Sequence, residues 1–255
     1  MTQNVESDLI FDLGLHKGFD AEFYLNKGFR VVGIEAGPRL AELCRDRLAA
    51  FGARLTIINK ALYHEPGRKV AFYTVPGKDD WGSLDQATAQ KGVQQSVRIE
   101  VDTIDLASLF DAHGVPHYLK CDLEGGDAIL LDQLTRDQRR PRSVSAEMSA
   151  GNEGALLVAC GYSLGQIVNQ WMHSFKQPPK PAREGTFVPV QFTGEMSGLF
   201  GRELPAAKWR PMTEIDGIYR RWKDLHDMDE DLAPGWLDLH AAYPDALTAH
   251  VTPGG

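Results

Sequence analysis

Three short stretches of acidic residues and glycines carry the residue types from which a nucleoside-binding site is built. The first is Asp12-Leu13-Gly14-Leu15-His16-Lys17-Gly18. A glycine just beyond an apolar run lets the main chain approach a ligand closely, and a helix that follows offers free N–H groups to an anion. Asp12 can accept from an ammonium group or hold the turn. Taken alone, the spacing DxGxxxG equally describes an ordinary strand-to-helix turn with a capping aspartate. The second stretch is Val31-Val32-Gly33-Ile34-Glu35, followed by Ala36-Gly37-Pro38. A carboxylate directly after an apolar strand, about 20 residues past a glycine turn, is placed to bind the two hydroxyls of a ribose. A solvated surface glutamate is the plainer alternative.

The third stretch runs Tyr118-Leu119-Lys120-Cys121-Asp122-Leu123-Glu124-Gly125-Gly126-Asp127. Asp122 is placed to orient a ligand or an acceptor hydroxyl, and Glu124 to take a proton or help hold a metal. Alternatively, one of the two caps the helix that starts near Asp127. The dinucleotide fingerprint GxGxxG is absent: residues 14 to 18 read GLHKG, with His16 where the glycine needed for close approach to a pyrophosphate belongs. A cofactor without a pyrophosphate tolerates that change, which favours S-adenosylmethionine over NAD. Other candidates carry less. His240, in Trp236-Leu237-Asp238-Leu239-His240, titrates in a range suited to a base, or is structural. Ser83 sits in a loop that can cover a cofactor or is a turn serine. Ser197-Gly198-Leu199-Phe200-Gly201 is a hinged flap or a tight turn, and Trp171, Trp209, Trp222 and Trp236 line an acceptor pocket or fill core. No full metal-ligand set is evident.

These residues need elements to position them. Short apolar runs at 9–12, 30–35 and 55–58 alternate with helical stretches at 19–27 and from Pro38 to about Gly52. This β-α-β-α-β order predicts a doubly wound α/β fold, with a parallel sheet covered on both faces. Ligands in such sheets lie outside the carboxyl ends of the strands, where strand order reverses. Further along, 69–75 and 97–101 read as a β pair, and 103–113 as a helix with Thr103 as N-cap. Residues 117–122 and 143–148 read as strands, and 127–134 and 153–160 as helices. Pro178, Pro179 and Pro181 mark a connection, 187–192 a further strand and 215–225 a helix. A single domain over 1–255 is expected, with a cofactor-binding core at 8–170 and a C-terminal elaboration at 171–255 that covers the acceptor side.

The 255 residues carry 27 Lys and Arg against 35 Asp and Glu, a formal charge of −8, and no basic run, which argues against a nucleic-acid surface. Three cysteines, Cys44, Cys121 and Cys160, are too few and too widely spaced for a disulfide framework or a zinc site. The start MTQNVESD has no signal-peptide pattern, and no apolar stretch approaches the roughly 20 residues that span a bilayer. A cytoplasmic protein is expected.

The ordered series DLGLHKGFDAEFYLNKGFRVVGIEAGP, INKALY, WGSLDQ, VDTIDL, YLKCDLEGGD and SVSAEMS resembles the FkbM-type methyltransferases. The resemblance continues through GYSLGQIVNQ, SGLFGRELPAAKW and WLDLHA, from about residue 8 to 241, and several stretches resemble one bacterial branch. It implies a seven-stranded class I methyltransferase sheet and S-adenosylmethionine as donor. The acceptor it implies is a hydroxyl of a sugar, glycan or small natural product. Position by position, Asp12, Gly14, His16 and Gly18 match the cofactor turn, Glu35 and Ala36 the ribose-binding acid and its neighbour. Asn59 and Ala61 match the segment bordering the adenine, Asp122 and Glu124 the DxEG motif, and Glu147 the acid ending the next strand. His16 stands where the family usually has asparagine, and Cys121 where isoleucine is common. The expected reaction is in-line displacement at a sulfonium methyl by an acceptor oxygen, with Asp122, Glu124 or His240 as base. An NAD-dependent oxidoreductase and a catalytically silent cofactor-binding scaffold are the rival readings.

Overall fold

The computed structural model describes residues 5–90 and 95–248. The chain opens with β1 (Val5–Leu13), α1 (Phe19–Asn26), β2 (Arg30–Ile34), α2 (Pro38–Arg47) and β3 (Leu55–Ile58). A smaller unit follows: β4 (Ala61–Leu62), β5 (Lys69–Val75), β6 (Lys78–Ser83), α3 (Gln86–Gln90) and β7 (Val97–Ile104). The main alternation then resumes with α4 (Leu106–His113), β8 (Val115–Cys121), α5 (Asp127–Arg136), β9 (Ser143–Glu147), α6 (Glu153–Ala159) and β10 (Leu164–Asn169). Last come β11 (Arg210–Pro211), α7 (Ile215–Met228) and β12 (Leu237–Ala242).

The main sheet has the order β3-β2-β1-β8-β9-β12-β10-β11. Strands β3, β2, β1, β8 and β9 pair in parallel, while β12 runs antiparallel between β9 and β10. The chain therefore leaves β1 in one direction to β2 and β3 and returns on its other side to β8 and β9. That reversal opens a crevice at the carboxyl ends of β1 and β8. Seven strands with the last one inserted antiparallel form the sheet that the resemblance implies, and β11 adds a short eighth at the edge. The smaller sheet, β4-β7-β5-β6, stands beside the end of β2, where Phe72, Val101 and Ala61 pack with Ala36.

Alternation along the strands divides the core in two. Leu9, Phe11 and Leu13 of β1, with Leu119, Cys121, Val144, Ala146 and Leu239, meet α4, α5, α6 and α7 through Leu109, Leu130, Leu157 and Ile215. Ile10 and Tyr118 face the other way, onto Tyr24 of α1, Cys44 of α2 and Phe192, Met196 and Phe200 of the C-terminal part. Cys121 is thus a buried packing residue of this core. Residues 176–200, rich in proline at their start, have no helix or strand, so the strand expected at 187–192 does not form. Polar anchors fix the segment instead. Lys27 Nζ lies 2.7 Å from Glu203 Oε1, both side chains fully buried, and donates to Thr186 O at 3.0 Å. Glu184 accepts from Arg202 N at 3.0 Å and lies 3.3 Å from His117 Nε2.

One further expectation changes. Thr103 is not a helix cap: it is buried in β7 and its hydroxyl donates to Glu65 O at 2.6 Å, while Asp105 caps α4 by accepting from Ser108 N at 2.9 Å. Within the C-terminal elaboration, β12 completes the sheet between β9 and β10. Among the described residues no helix is long and apolar enough to cross a membrane.

Candidate functional site

After β1 the chain folds back over β2, and the amides of Gly14 and Leu15 both donate to Ile34 O at 3.0 Å. Gly14 has φ 89°, and a Cβ on it would stand 1.9 Å from the main-chain oxygen of Asp122. Only glycine lets the ends of β1 and β8 meet here. His16 also has a positive φ, 51°, which turns its N–H onto Glu35 Oε2 at 2.9 Å, while Gly37 N donates to Oε1 at 2.8 Å. Glu35 is thus a buried carboxylate held by two amides at the end of β2. Burial pushes its carboxyl up to about 7, with the Gly37 and His16 amides pulling the other way.

The residues expected nearby divide into those that face the crevice and those that stand behind it. Gly14, His16, Glu35, Ala36, Asp122 and Glu124 line one cleft of about 1240 Å3. Asn59 stands behind the turn, donating from Nδ2 to Glu35 O at 2.8 Å and Ala36 O at 3.1 Å. Ala61 borders a small side cavity with Ala36 and Phe72. Gly18 starts α1 at φ 76°, against Leu48 and Cys44. Ser83 is buried and donates to Glu124 O at 2.8 Å, tying β6 to the loop after β8. Asp12 is fully buried beneath the cleft.

What Asp12 holds is a residue the sequence reading passed over. Lys120 lies 3.2 Å from Asp12 Oδ1, 3.3 Å from Asp20 Oδ2 and 3.7 Å from Asp122 Oδ2, and donates to Gly14 O at 3.2 Å. Burial alone would lower its pKa, but Asp12, Asp20 and Asp122 outweigh that and hold the ammonium charged. Asp12 is itself pushed up to about 6, by burial first, with Lys120 opposing. One cation therefore ties β1, α1, the glycine turn and the start of the acidic loop together. Its position two residues before Asp122 on the same strand face was the available signal.

Beyond Asp122 the acidic lining continues with Glu147 at the end of β9 and Asp238 at the start of β12. Asp127 organises this edge, accepting from Leu123 N at 3.2 Å and Glu147 N at 3.1 Å. His240 does not join it. Because β12 is antiparallel, its first residues reach the edge and His240 lies deeper, opposite Ser145 and stacked on Tyr118 at 6.4 Å. It is 2% exposed, and burial lowers its pKa to about 4. Of the four C-terminal tryptophans only Trp236 lines the cleft; Trp222 stacks on Tyr219 of α7. The segment Ser197–Gly201 is anchored, since Ser197 N donates to both oxygens of Asp20 at 3.0 and 2.9 Å, and Lys17 pairs with Glu195 nearby. Among the described residues no cluster of His, Cys, Asp and Glu is arranged to hold a metal ion.

Comparison with solved structures finds distant likenesses. Precorrin-6y C5,15-methyltransferase from Geobacter metallireducens GS-15 is 14% identical, with 65% of this chain and 69% of that one covered and a TM-score of 0.36. The StiE O-MT, residues 961–1257, is 9% identical, with 92% and 67% covered and a TM-score of 0.40. A predicted O-methyltransferase, protein Atu636 from Agrobacterium tumefaciens, is 14% identical, with 66% and 68% covered and a TM-score of 0.32. No curated protein matches the sequence. Residues 12–176, well over half of the chain and all of the turn, the acidic loop and the strands between them, match the methyltransferase FkbM domain. The chain belongs to the FkbM methyltransferase family.

Proposed function

We propose that this methyltransferase uses S-adenosylmethionine to methylate a hydroxyl oxygen on a sugar, a glycan or a small natural product. The observation that carries the donor is Glu35, a buried carboxylate fixed by the His16 and Gly37 amides at the rim of the cleft. The donor set fits this cofactor. A carboxylate can accept about four hydrogen bonds, so two amides leave lone pairs for a ribose diol. Ala36, Leu40 and Phe72 give an apolar wall for an adenine, and Asp20, Asp122 and Glu124 give negative charge for an ammonium or sulfonium. The turn has no second glycine for a pyrophosphate, and this cofactor has none to place. Gly14 and His16 would hold the amino-acid end through main chain and side chain, with Asn59 and Ala61 shaping the adenine end from behind.

Bound there, S-adenosylmethionine supplies a methyl group on a sulfonium. The chain's own residues then orient the donor and an acceptor oxygen. Asp122 stands centrally, restrained by Lys120, and Glu124 lies on the same loop. Residues 1–255 act as one unit in this reading, with the segment after 171 closing the acceptor side through Glu195, Met196 and Trp236. Calorimetric titration with S-adenosylmethionine and S-adenosylhomocysteine tests the donor. Saturable binding to the wild type is expected, weakened at least about tenfold in Glu35→Ala, a loss of about 1.4 kcal/mol. Absence of binding to well-folded wild type would overturn the reading.

A further inference from the structure

The carboxyl edge of the main sheet continues past Asp122 in a regular row. Register sets Lys120 opposite Ser145 and Ser145 opposite His240. Two residues further towards the edge, the next row is Asp122, Glu147 and Asp238, with Glu147 directly paired to Asp238. Neighbouring strands are about 4.8 Å apart, so Asp238 stands roughly 10 Å from Asp122, on the side away from the glycine turn. All three line the cleft.

Asp238 is only 8% exposed, and Gln170 Nε2 donates to its Oδ2 at 2.6 Å. Its other oxygen, Oδ1, accepts no hydrogen bond among the described residues. Gln170 is in turn fixed by donating its main-chain N–H to Trp236 O at 2.9 Å, and the half-exposed Trp236 lines the same end of the cleft. The cations of the lining are Lys17, Arg39, Lys78 and Lys120. None of them comes from β9, β10 or β12, and Lys120 is shared among three carboxylates.

We propose that Glu147, Gln170, Trp236 and Asp238 form the acceptor subsite, that it takes uncharged hydroxyl compounds and rejects phosphorylated or carboxylated ones, and that Asp238 Oδ1 receives the acceptor's O–H. The proposal rests on the methyl-transfer reading above. In the step, an acceptor oxygen lone pair forms the new C–O bond as the methyl's bond to sulfur breaks and its electrons stay on sulfur as a neutral thioether. The acceptor's proton passes to Asp238 and then to solvent. Burial, with Asp122, Glu147 and Asp127 adding to it and Lys120 opposing, lifts the Asp238 carboxyl well above the usual carboxylate range.

Two measurements on the full chain test this. Titration with S-adenosylhomocysteine separates the failures: no binding to the wild type removes the methyl-transfer reading itself. If it binds, Asp238→Asn is expected to bind it within about twofold of the wild type while Glu35→Ala loses affinity. Transfer of labelled methyl is then followed on a panel of uncharged sugars and cyclic alcohols, each matched with its phosphate and carboxylate counterparts. Uncharged members are expected to be methylated in preference to their anionic partners. Asp238→Asn should lower turnover by roughly 10²–10⁴-fold, and Glu147→Gln should relax the discrimination against anions. The proposal is overturned if anionic members are preferred, if no uncharged member is methylated, or if Asp238→Asn keeps wild-type turnover. It also fails if Asp238→Asn loses S-adenosylhomocysteine affinity as Glu35→Ala does.

Discussion

Two side chains show how burial assigns roles that residue type alone leaves open. Glu35 and His240 are both nearly inaccessible, 7% and 2% exposed, yet only Glu35 lines the cleft, with two amides fixing its oxygens. Neither ring nitrogen of His240 has a hydrogen-bond partner among the described residues. Burial lowers its pKa from 6.5 to about 4, so the unfolded chain binds the extra proton between those values and stability falls as pH drops through that range. Replacing it removes the penalty. Urea unfolding of His240→Leu, compared with wild type, is expected to show about 2 kcal/mol more stability at pH 5 than the same comparison shows at pH 8. An identical difference at both pH values would mean that His240 is not a buried neutral imidazole. The imidazole was a reasonable base on its chemistry. What the sequence did not reveal was that 237–242 is an antiparallel strand, which brings Asp238 rather than His240 to the edge.

The elements were legible where one physical signal dominated. The run read at 30–35 forms β2 over 30–34, apolar because it is buried between two parallel neighbours. The run at 55–58 forms the partly exposed edge strand β3, and Pro38 starts α2 because proline suits a first helical turn. Segments set by tertiary contact were not. Residues 187–192 have the apolar content of a strand but find no strand partner; Phe192 packs on α1 instead, edge to face with Phe23 at 5.4 Å. Likewise, the segment at Ser197 is held by the carboxylate of Asp20, 177 residues away, a pairing no local pattern announces. Asp20→Ala leaves the Ser197 amide unpaired and removes one partner of Lys120. A loss of about 1–3 kcal/mol in unfolding free energy is expected, together with faster cleavage of residues 193–198 in limited proteolysis. Wild-type cleavage rates would show that the segment is held by other contacts.

At the scale of the whole molecule, strand order makes the site. The reversal at β1 brings the glycine turn, Glu35 and Asp122 to one crevice, and the antiparallel β12 carries Asp238 to the same edge from near the end of the chain. The first three were readable because each follows an apolar strand at a telling distance. Asp20, Gln170 and Asp238 were not, since their partners come from elements far apart in sequence, and Lys120 had only its place two residues before Asp122 as a signal. A structure of the protein with S-adenosylhomocysteine bound tests the central claim most directly. The account expects the ribose hydroxyls within hydrogen-bond reach of Glu35, about 2.6–3.2 Å, and the row at Glu147 and Asp238 left free of the nucleoside. A nucleoside seated over β9 and β12, or a ribose without contact to Glu35, would contradict it.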